Sequence, residues 1–272
     1  MIPTIWTIAK KEIMDNIRNR WIIVMSIAFA IMALFSSYFG SMGKGWQDFE
    51  NTMILMIFFL QFLIPVIGLM LGYASIGREV ETGTMNALIS FPVTRLEIIL
   101  GKFLGLGIVL STSIFIGFTV AGFIIGLNVS NPDYEMYFIF ILESVLLGLV
   151  FLSIAMFFSS ILKKRSSAMG ASIFTWFFFS MIWGMLMFGL MWATDISIQD
   201  AEGFFALNMF SPVASYTALI SLEVGGFPTA SLSAAYDHFP PFYNGIVLVT
   251  TLLTWIIVMI FLSYWTFKSR DI

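Results

Sequence analysis

Six long apolar runs, at 21–39, 53–76, 98–127, 137–162, 168–193 and 246–267, constrain this chain more than any other feature. A helix rises about 1.5 Å per residue, so a hydrocarbon core of ~30 Å takes about 20 residues, and each run reaches or nearly reaches that length. Inside lipid the backbone N–H and C=O groups have no water to bond, and a helix satisfies them within the segment itself. With 59% hydrophobic and 11% charged residues, against ~25% charged in an ordinary soluble domain, a water-soluble globule is excluded. The expected fold is all-α and integral to the membrane: six transmembrane helices forming one domain over 1–272. The first run is expected to stay in the protein. Its 19 residues exceed a usual signal-peptide core, and a mixed segment precedes it where a short basic stretch should stand.

Lysine and arginine orient such a bundle, because they are retained on the cytoplasmic side of the spans they flank. Lys10, Lys11, Arg18 and Arg20 precede the first run; Arg78, Arg95 and Lys102 surround the second connection; Lys163, Lys164 and Arg165 fill the fourth; Lys268 and Arg270 follow the last. Of the 13 basic residues, only Lys44 falls on the other side, where Asp48, Glu50, Asp133, Glu135, Asp195, Asp200, Glu202, Glu223 and Asp237 gather. Both termini are therefore expected in the cytoplasm of a multi-pass protein of the cell membrane. Ahead of the first span, Ile2, Trp6, Ala9, Ile13 and Ile17 recur at helical spacing while Lys10, Lys11, Asp15 and Arg18 take other faces. The pattern predicts an amphipathic helix over 2–19 lying in the membrane interface, with Trp6 at the headgroup level. The connection 194–245 has no Lys or Arg and is expected outside. Ser211 and Pro212 break its apolar middle into short helices, against a seventh full span.

Chemistry is narrowly bounded. Cysteine is absent and histidine occurs once, which leaves no thiolate zinc site and no Cys/His nucleophile pair. No G-x-x-x-x-G-K-[ST] run occurs, so ATP and Mg would be held by a partner and not by this chain. An enzyme is not expected, no metal site is assigned, and nothing calls for a nucleic acid. Met181, Met185, Met187 and Met191 form two stripes on the fifth run, a pattern of packing or lipid contact more than of metal coordination. His238 is read as a solvated loop residue.

The connection Gly77 to Glu97 has a legible grammar: GREVETGTMNALISFPVTRLE. Met85, Leu88 and Ile89 stand at i, i+3 and i+4, an apolar stripe on a helix of about two turns that Phe91 and Pro92 end. Thr94 with Glu97 is a capping box that launches the third span. Either the stripe docks on another protein or it folds back on the bundle end. Within the spans, Gly68 and Gly72, Gly101 and Gly105, and Gly122 and Gly126 have the four-residue spacing of close helix contacts. Pro65 serves equally as a hinge or a static kink. Gln61 and Glu143 are the candidate intramembrane polar site, Glu143 being the acidic residue well inside a span. Glu143 contacts a substrate or another helix, or is simply protonated or wetted from outside.

The run from Arg78 to Lys102, with Glu79, Glu81, Gly83, Thr84, Leu88, Pro92, Thr94, Arg95, Ile98, Gly101 and Lys102, resembles the signature of ABC-2 type transporter permeases. The six-span layout with an interfacial helix and a long last outer connection is similar to that family too. The opening around Ala9 to Trp21 resembles the subgroup for maturation of multicopper enzymes, including copper-processing systems that serve nitrous oxide reductase. The resemblance implies a homodimer or heterodimer of permeases, each engaging a separate cytoplasmic ATPase through the interfacial helix and the coupling segment 78–97, with room for an outer accessory protein. In that segment Arg78, Glu79, Glu81, Gly83, Thr84, Met85, Leu88 and Ile89 carry the coupling, and Pro92, Thr94 and Glu97 form the capping turn. The rival reading is a self-contained secondary transporter. Such a carrier would bury several ionisable groups or repeat its halves, and Glu143 stands alone between unrelated halves.

Overall fold

The computed structural model describes residues 2–39, 49–85, 90–129, 132–162, 164–194, 202–224 and 240–269. Every regular element among them is helical. In chain order these are α1 (Ile2–Arg18), α2 (Trp21–Phe39), α3 (Phe49–Gly72), α4 (Gly77–Glu81), α5 (Arg95–Asn128), α6 (Tyr134–Ile161), α7 (Arg165–Phe177), α8 (Trp183–Thr194), α9 (Glu202–Asn208), α10 (Pro212–Val224) and α11 (Gly245–Lys268). A π-helical turn, Phe178–Ile182, welds α7 to α8.

Among the described residues, five helical stretches are long and apolar enough to cross a membrane: Thr52–Glu81, Arg95–Asn128, Tyr134–Ile161, Arg165–Ala193 and Gly245–Lys268. Two bent pairs raise the number to seven if each is one span: α1 with α2, bent by 67°, and α9 with α10, bent by 116°. The range brackets the six expected. The first expected run coincides with α2, and the break expected at Ser211 and Pro212 is the bend between α9 and α10. Proline lacks the N–H that would carry a helix on, so it opens α10 instead. α3 runs through Pro65 without interruption.

α6 is the axis of the bundle. Of its most apolar window, 67% is buried, against 6% for the α7–α8 stretch, which lies at the periphery. α6 packs on α3, α5 and α11, while α2 and α1 pack on α5. Glycines set the distances. A Cβ on Gly68 would stand 2.7 Å from the Gly148 carbonyl oxygen, and one on Gly72 would stand 2.6 Å from Ala155 Cβ, so α3 and α6 touch backbone to backbone. Gly117 does the same for α5 and α2, 2.6 Å from the Ser26 carbonyl oxygen. Gly101 and Gly105 receive Ile8 and Ala9 of α1, and Gly126 receives the Tyr134 ring. The paired glycines of the sequence are thus contact points, as lipid gives helices little other reason to associate.

α1 departs from the expected pattern. Its bundle face is Ile5, Ile8, Ala9 and Glu12, whereas Trp6 (56% exposed), Met14 and Ile17 point away from the protein. Ala9, expected beside Trp6 on one stripe, belongs to the bundle face because Gly105 leaves room for it. The helix therefore has two apolar sides, one packed on α5 and one turned outward. Arg20 makes the bend to α2 in the left-handed region, φ 58°, a conformation that costs a residue with a Cβ roughly 1–2 kcal/mol.

Crowding predicts two classes of glycine variant. Gly68→Ala and Gly117→Ala should each lower stability by about 1–3 kcal/mol through overpacking, read as thermal unfolding in detergent. Gly170, Gly184 and Gly189 have nothing within 4 Å of a would-be Cβ, and their alanine variants should unfold at the parent's temperature. An equal loss in both classes would contradict the contacts.

Candidate functional site

The site is built where α4 ends the long rod of α3. α4 starts at Gly77, and the main-chain N–H groups of Ile76 and Gly77 both donate to Ser159 Oγ of α6, at 3.0 and 2.9 Å. Donors that a helix start leaves unpaired are thereby satisfied by a neighbouring helix. α4 stops at Gly83, whose φ of +74° suits a residue without a Cβ. Around it the Gly83 N–H donates to the Val80 carbonyl, and Thr84 Oγ1 donates to the Glu79 carbonyl at 3.3 Å. Gly83 and Thr84 thus terminate a helix; that is their structural work.

Charge ties α4 to its surroundings. Lys102 of α5 is 1% exposed, and its Nζ lies 2.7 Å from Glu12 Oε1 of α1 and 2.9 Å from Glu79 Oε1 of α4. Lys11 Nζ, on the water side of α1, also reaches Glu79 Oε1, at 2.9 Å. Burial by itself would push the Glu79 carboxyl up, but the Lys102 and Lys11 ammonium groups outweigh it and hold it below the ordinary carboxylate range. Burial likewise opposes the charge on Lys11, yet Glu79 keeps its value above the ordinary one. Glu81 completes the set by accepting from the Arg165 main-chain N–H at 2.7 Å, where α7 begins. Five residues of helix are thus fastened to α1, α5, α6 and α7.

The capping turn forms as its sequence predicts. The Thr94 side chain accepts from the Glu97 N–H at 3.3 Å, and the Thr94 N–H donates to Glu97 Oε2 at 2.8 Å. Arg95, the next residue, donates from Nη1 to the carbonyls of Phe267 and Lys268, the latter at 3.0 Å, and lies over the Phe267 ring. It closes the C-terminal end of α11, whose last carbonyls need donors.

Of the apolar stripe, for which docking on another protein and folding back on the bundle were both open, one residue is described. Met85 is fully buried in the main core of the bundle, so its side chain is spent on this chain's own helices; Leu88 and Ile89 lie outside the described residues. Arg78 stands on the wall of a cavity beside α4. In the spans, Gln61 turns back to donate to the Phe58 carbonyl of its own helix at 3.2 Å. Glu143 is buried on α6 next to Ser144, whose hydroxyl lies 3.0 Å from the buried Tyr216 hydroxyl of α10. Met181 and Met185 face outward while Met187 packs with Phe204 of α9, so those methionines divide between two faces. His238 lies outside the described residues. The sequence reading passed over Glu12, and it gave Lys102 and Arg95 a place as orientation markers and in the family signature but no partners. The signal was there for Lys102, a lysine two turns inside an apolar helix start, which must find a carboxylate.

Residues 6–272 match the family described as ABC-2 family transporter protein. The chain belongs to that family. Among curated proteins it is 33% identical over 275 residues to the probable ABC transporter permease protein NosY of Stutzerimonas stutzeri, covering 98% of both chains. It is 35% identical over 199 residues to the protein of the same name from Pseudomonas aeruginosa, covering 70% of this chain and 72% of that one. A probable ABC transporter permease of Bacillus subtilis, YtrC, is 30% identical over 131 residues, 44% of this chain and 39% of its own. This ABC-2 permease is therefore a multi-pass membrane protein, of a family whose ATPase activity lies in separate subunits.

The buried triad gives a graded prediction for this permease. Lys102→Ala removes the buried cation of Glu12 and leaves Glu79 with Lys11 alone, and should cost about 3–5 kcal/mol. Lys11→Ala, whose side chain is half in water, should cost about 1 kcal/mol or less. Chemical unfolding in micelles measures both, and a Lys102 variant as stable as the Lys11 variant would refute the triad.

Proposed function

We propose that this chain is the membrane subunit that couples ATP hydrolysis by a separate cytoplasmic ABC ATPase to export of a substrate or to mechanical work on an outer partner. In this reading the bundle has six spans, α2 being the first, and its basic end with both termini faces the cytoplasm. Two permeases pair, as homodimer or heterodimer, and ATP and Mg reside in the ATPase. The observation that carries the proposal is the fastening of α4: a segment tied by Glu79, Glu81 and Ser159 to four other helices moves them when it is pushed. A loop serving only to join α3 and α5 would need none of those contacts. Contact with the ATPase falls to the exposed side of the segment 78–97 and to the water side of α1, since Met85 is taken up by the bundle.

The full-length likeness to proteins named NosY supports the narrower reading that the work done is copper-enzyme maturation of the kind serving nitrous oxide reductase. The competing reading, a secondary transporter complete in itself, is separated from this one by energy supply.

Three outcomes follow from the proposal. Removing residues 84–90 should abolish co-purification of the ATPase while membrane insertion persists; recovery of the ATPase at the parent's yield would sink the coupling role. Vesicles containing the permease alone should take up no solute under an ion gradient, and sustained uptake without nucleotide would favour the carrier. Because the chain has no cysteine, single replacements report sidedness. A membrane-impermeant thiol reagent should reach Glu202→Cys in intact cells and Ser269→Cys only after permeabilisation, and the reverse pattern would invert the orientation.

A further inference from the structure

The bend between α1 and α2 leaves a cavity of about 620 Å³ at the basic end, closed on its other sides by the end of α3, α4 and α5. That volume is in the range of small-molecule sites, ~300–1,000 Å³. Its walls are graded. Trp21, Met25, Ile67, Met70, Leu71 and Leu106 form an apolar wall, and Arg78, Arg165, Asp15, Asn16 and Asn19 stand among its polar residues. Ile67 and Met70 precede Arg78 on one rod, which at the helical rise sets the two walls about 12 to 16 Å apart along the rod. Trp21 and Met70 are 41% and 53% exposed, so the apolar side is open laterally, toward lipid.

The charges leave a residue to be matched. Lys102 also lines the cavity, but Glu12 and Glu79 occupy it. Arg78 and Arg165 remain, from elements that touch where Gly77 meets the Arg165 main chain, and neither guanidinium is bridged to a carboxylate among the described residues. Guanidinium groups present planar forks of donors suited to phosphate oxygens. On the same wall Glu79 Oε2 is buried and accepts no hydrogen bond, so an occupant should bring a donor as well as a phosphate. An apolar wall, a pair of unbridged arginines one to two nanometres toward water and an unsatisfied acceptor beside them match one class of molecule.

We infer that the cavity seats one phospholipid of the leaflet bordering the basic end. Its phosphate lies against Arg78 and Arg165, its headgroup ammonium or hydroxyl toward Glu79 and Asp15, and its first acyl methylenes along Trp21 and Met70. Basic pockets between membrane helices are the recurrent setting for such headgroups. The lipid acts as a fixed wedge between α1 and the α3–α4 rod. This inference does not rest on the transport reading, and its test needs neither nucleotide nor substrate.

The full-length chain, with whatever subunits co-purify, is stripped of lipid in neutral detergent and titrated in native mass spectrometry with four probes. These are phosphatidylglycerol, phosphatidylethanolamine, diacylglycerol and glycerol phosphate. The expected result is one phospholipid per chain, with diacylglycerol and glycerol phosphate at least tenfold weaker. The double variant Arg78→Gln, Arg165→Gln, with parental helicity in lipid-free detergent, should lose at least tenfold in phospholipid affinity. Diacylglycerol binding as tightly as phospholipid would overturn the headgroup contact, and that comparison uses the parent protein alone, whatever the variant does. Glycerol phosphate saturating the site at the phospholipid's concentration would overturn the lipid as the occupant, and an unaltered affinity in a folded double variant would overturn the arginine seat.

Discussion

An ammonium group removed from water must be paired, and Lys102 is the place where this permease meets that demand. Two turns into a helix that otherwise reads as a lipid span, its charge would cost several kcal/mol without a counter-charge. Glu12 and Glu79 supply it from opposite directions, and each belongs to an element that lacks a long apolar surface of its own. α1 is a short amphipathic helix and α4 has five residues. α1 is also seated by Ile8 and Ala9 in the recess at Gly101 and Gly105, whereas α4 relies on its polar ties, and the shared lysine links the two. The cavity at the bend, the direction in which Arg78 stands and the start of α7 at Glu81 all follow from α4 being fixed there.

Close approach of backbones supplies the rigidity that the charge triad presumes. Where Gly68 and Gly72 meet Gly148 and Ala155, the backbones of α3 and α6 come close enough that even a Cβ on either glycine would clash. The same holds at Gly117, where α5 meets α2. α7 and α8 make no comparable contact, and a π-helical turn interrupts them, a feature that recurs where helices serve function. The close contacts thus lie along α3, α5 and α6, and the α7–α8 stretch is at the periphery, with 6% of its apolar window buried.

Legibility varied with the range of the interaction. The Thr94–Glu97 capping box, the break at Ser211 and Pro212 and the extent of α2 depend on residues within one turn of each other, and all were readable in advance. The side to which an apolar residue turns was not. Spacing put Ala9 on the outward stripe with Trp6, and it is buried because Gly105 offers a recess; for Met85 spacing left two partners open, and its side chain is buried in the core of the bundle. Helical periodicity says which residues share a face, and α1 shows that one short helix can carry two apolar faces with different partners. The roles of Glu12 and Arg95 were equally hidden, since their partners Lys102 and the α11 carbonyls are remote in sequence.

By itself, then, the sequence determined that the chain is helical and membrane-embedded, because lipid accepts no other way of satisfying the backbone over runs of this length, and it marked where helices begin and end, because caps and breakers act locally. Only the tertiary structure decided which charges are partners and which are free. Coulombic pairing depends on distances between helices that meet far along the chain, and those distances are set by how small residues let backbones approach.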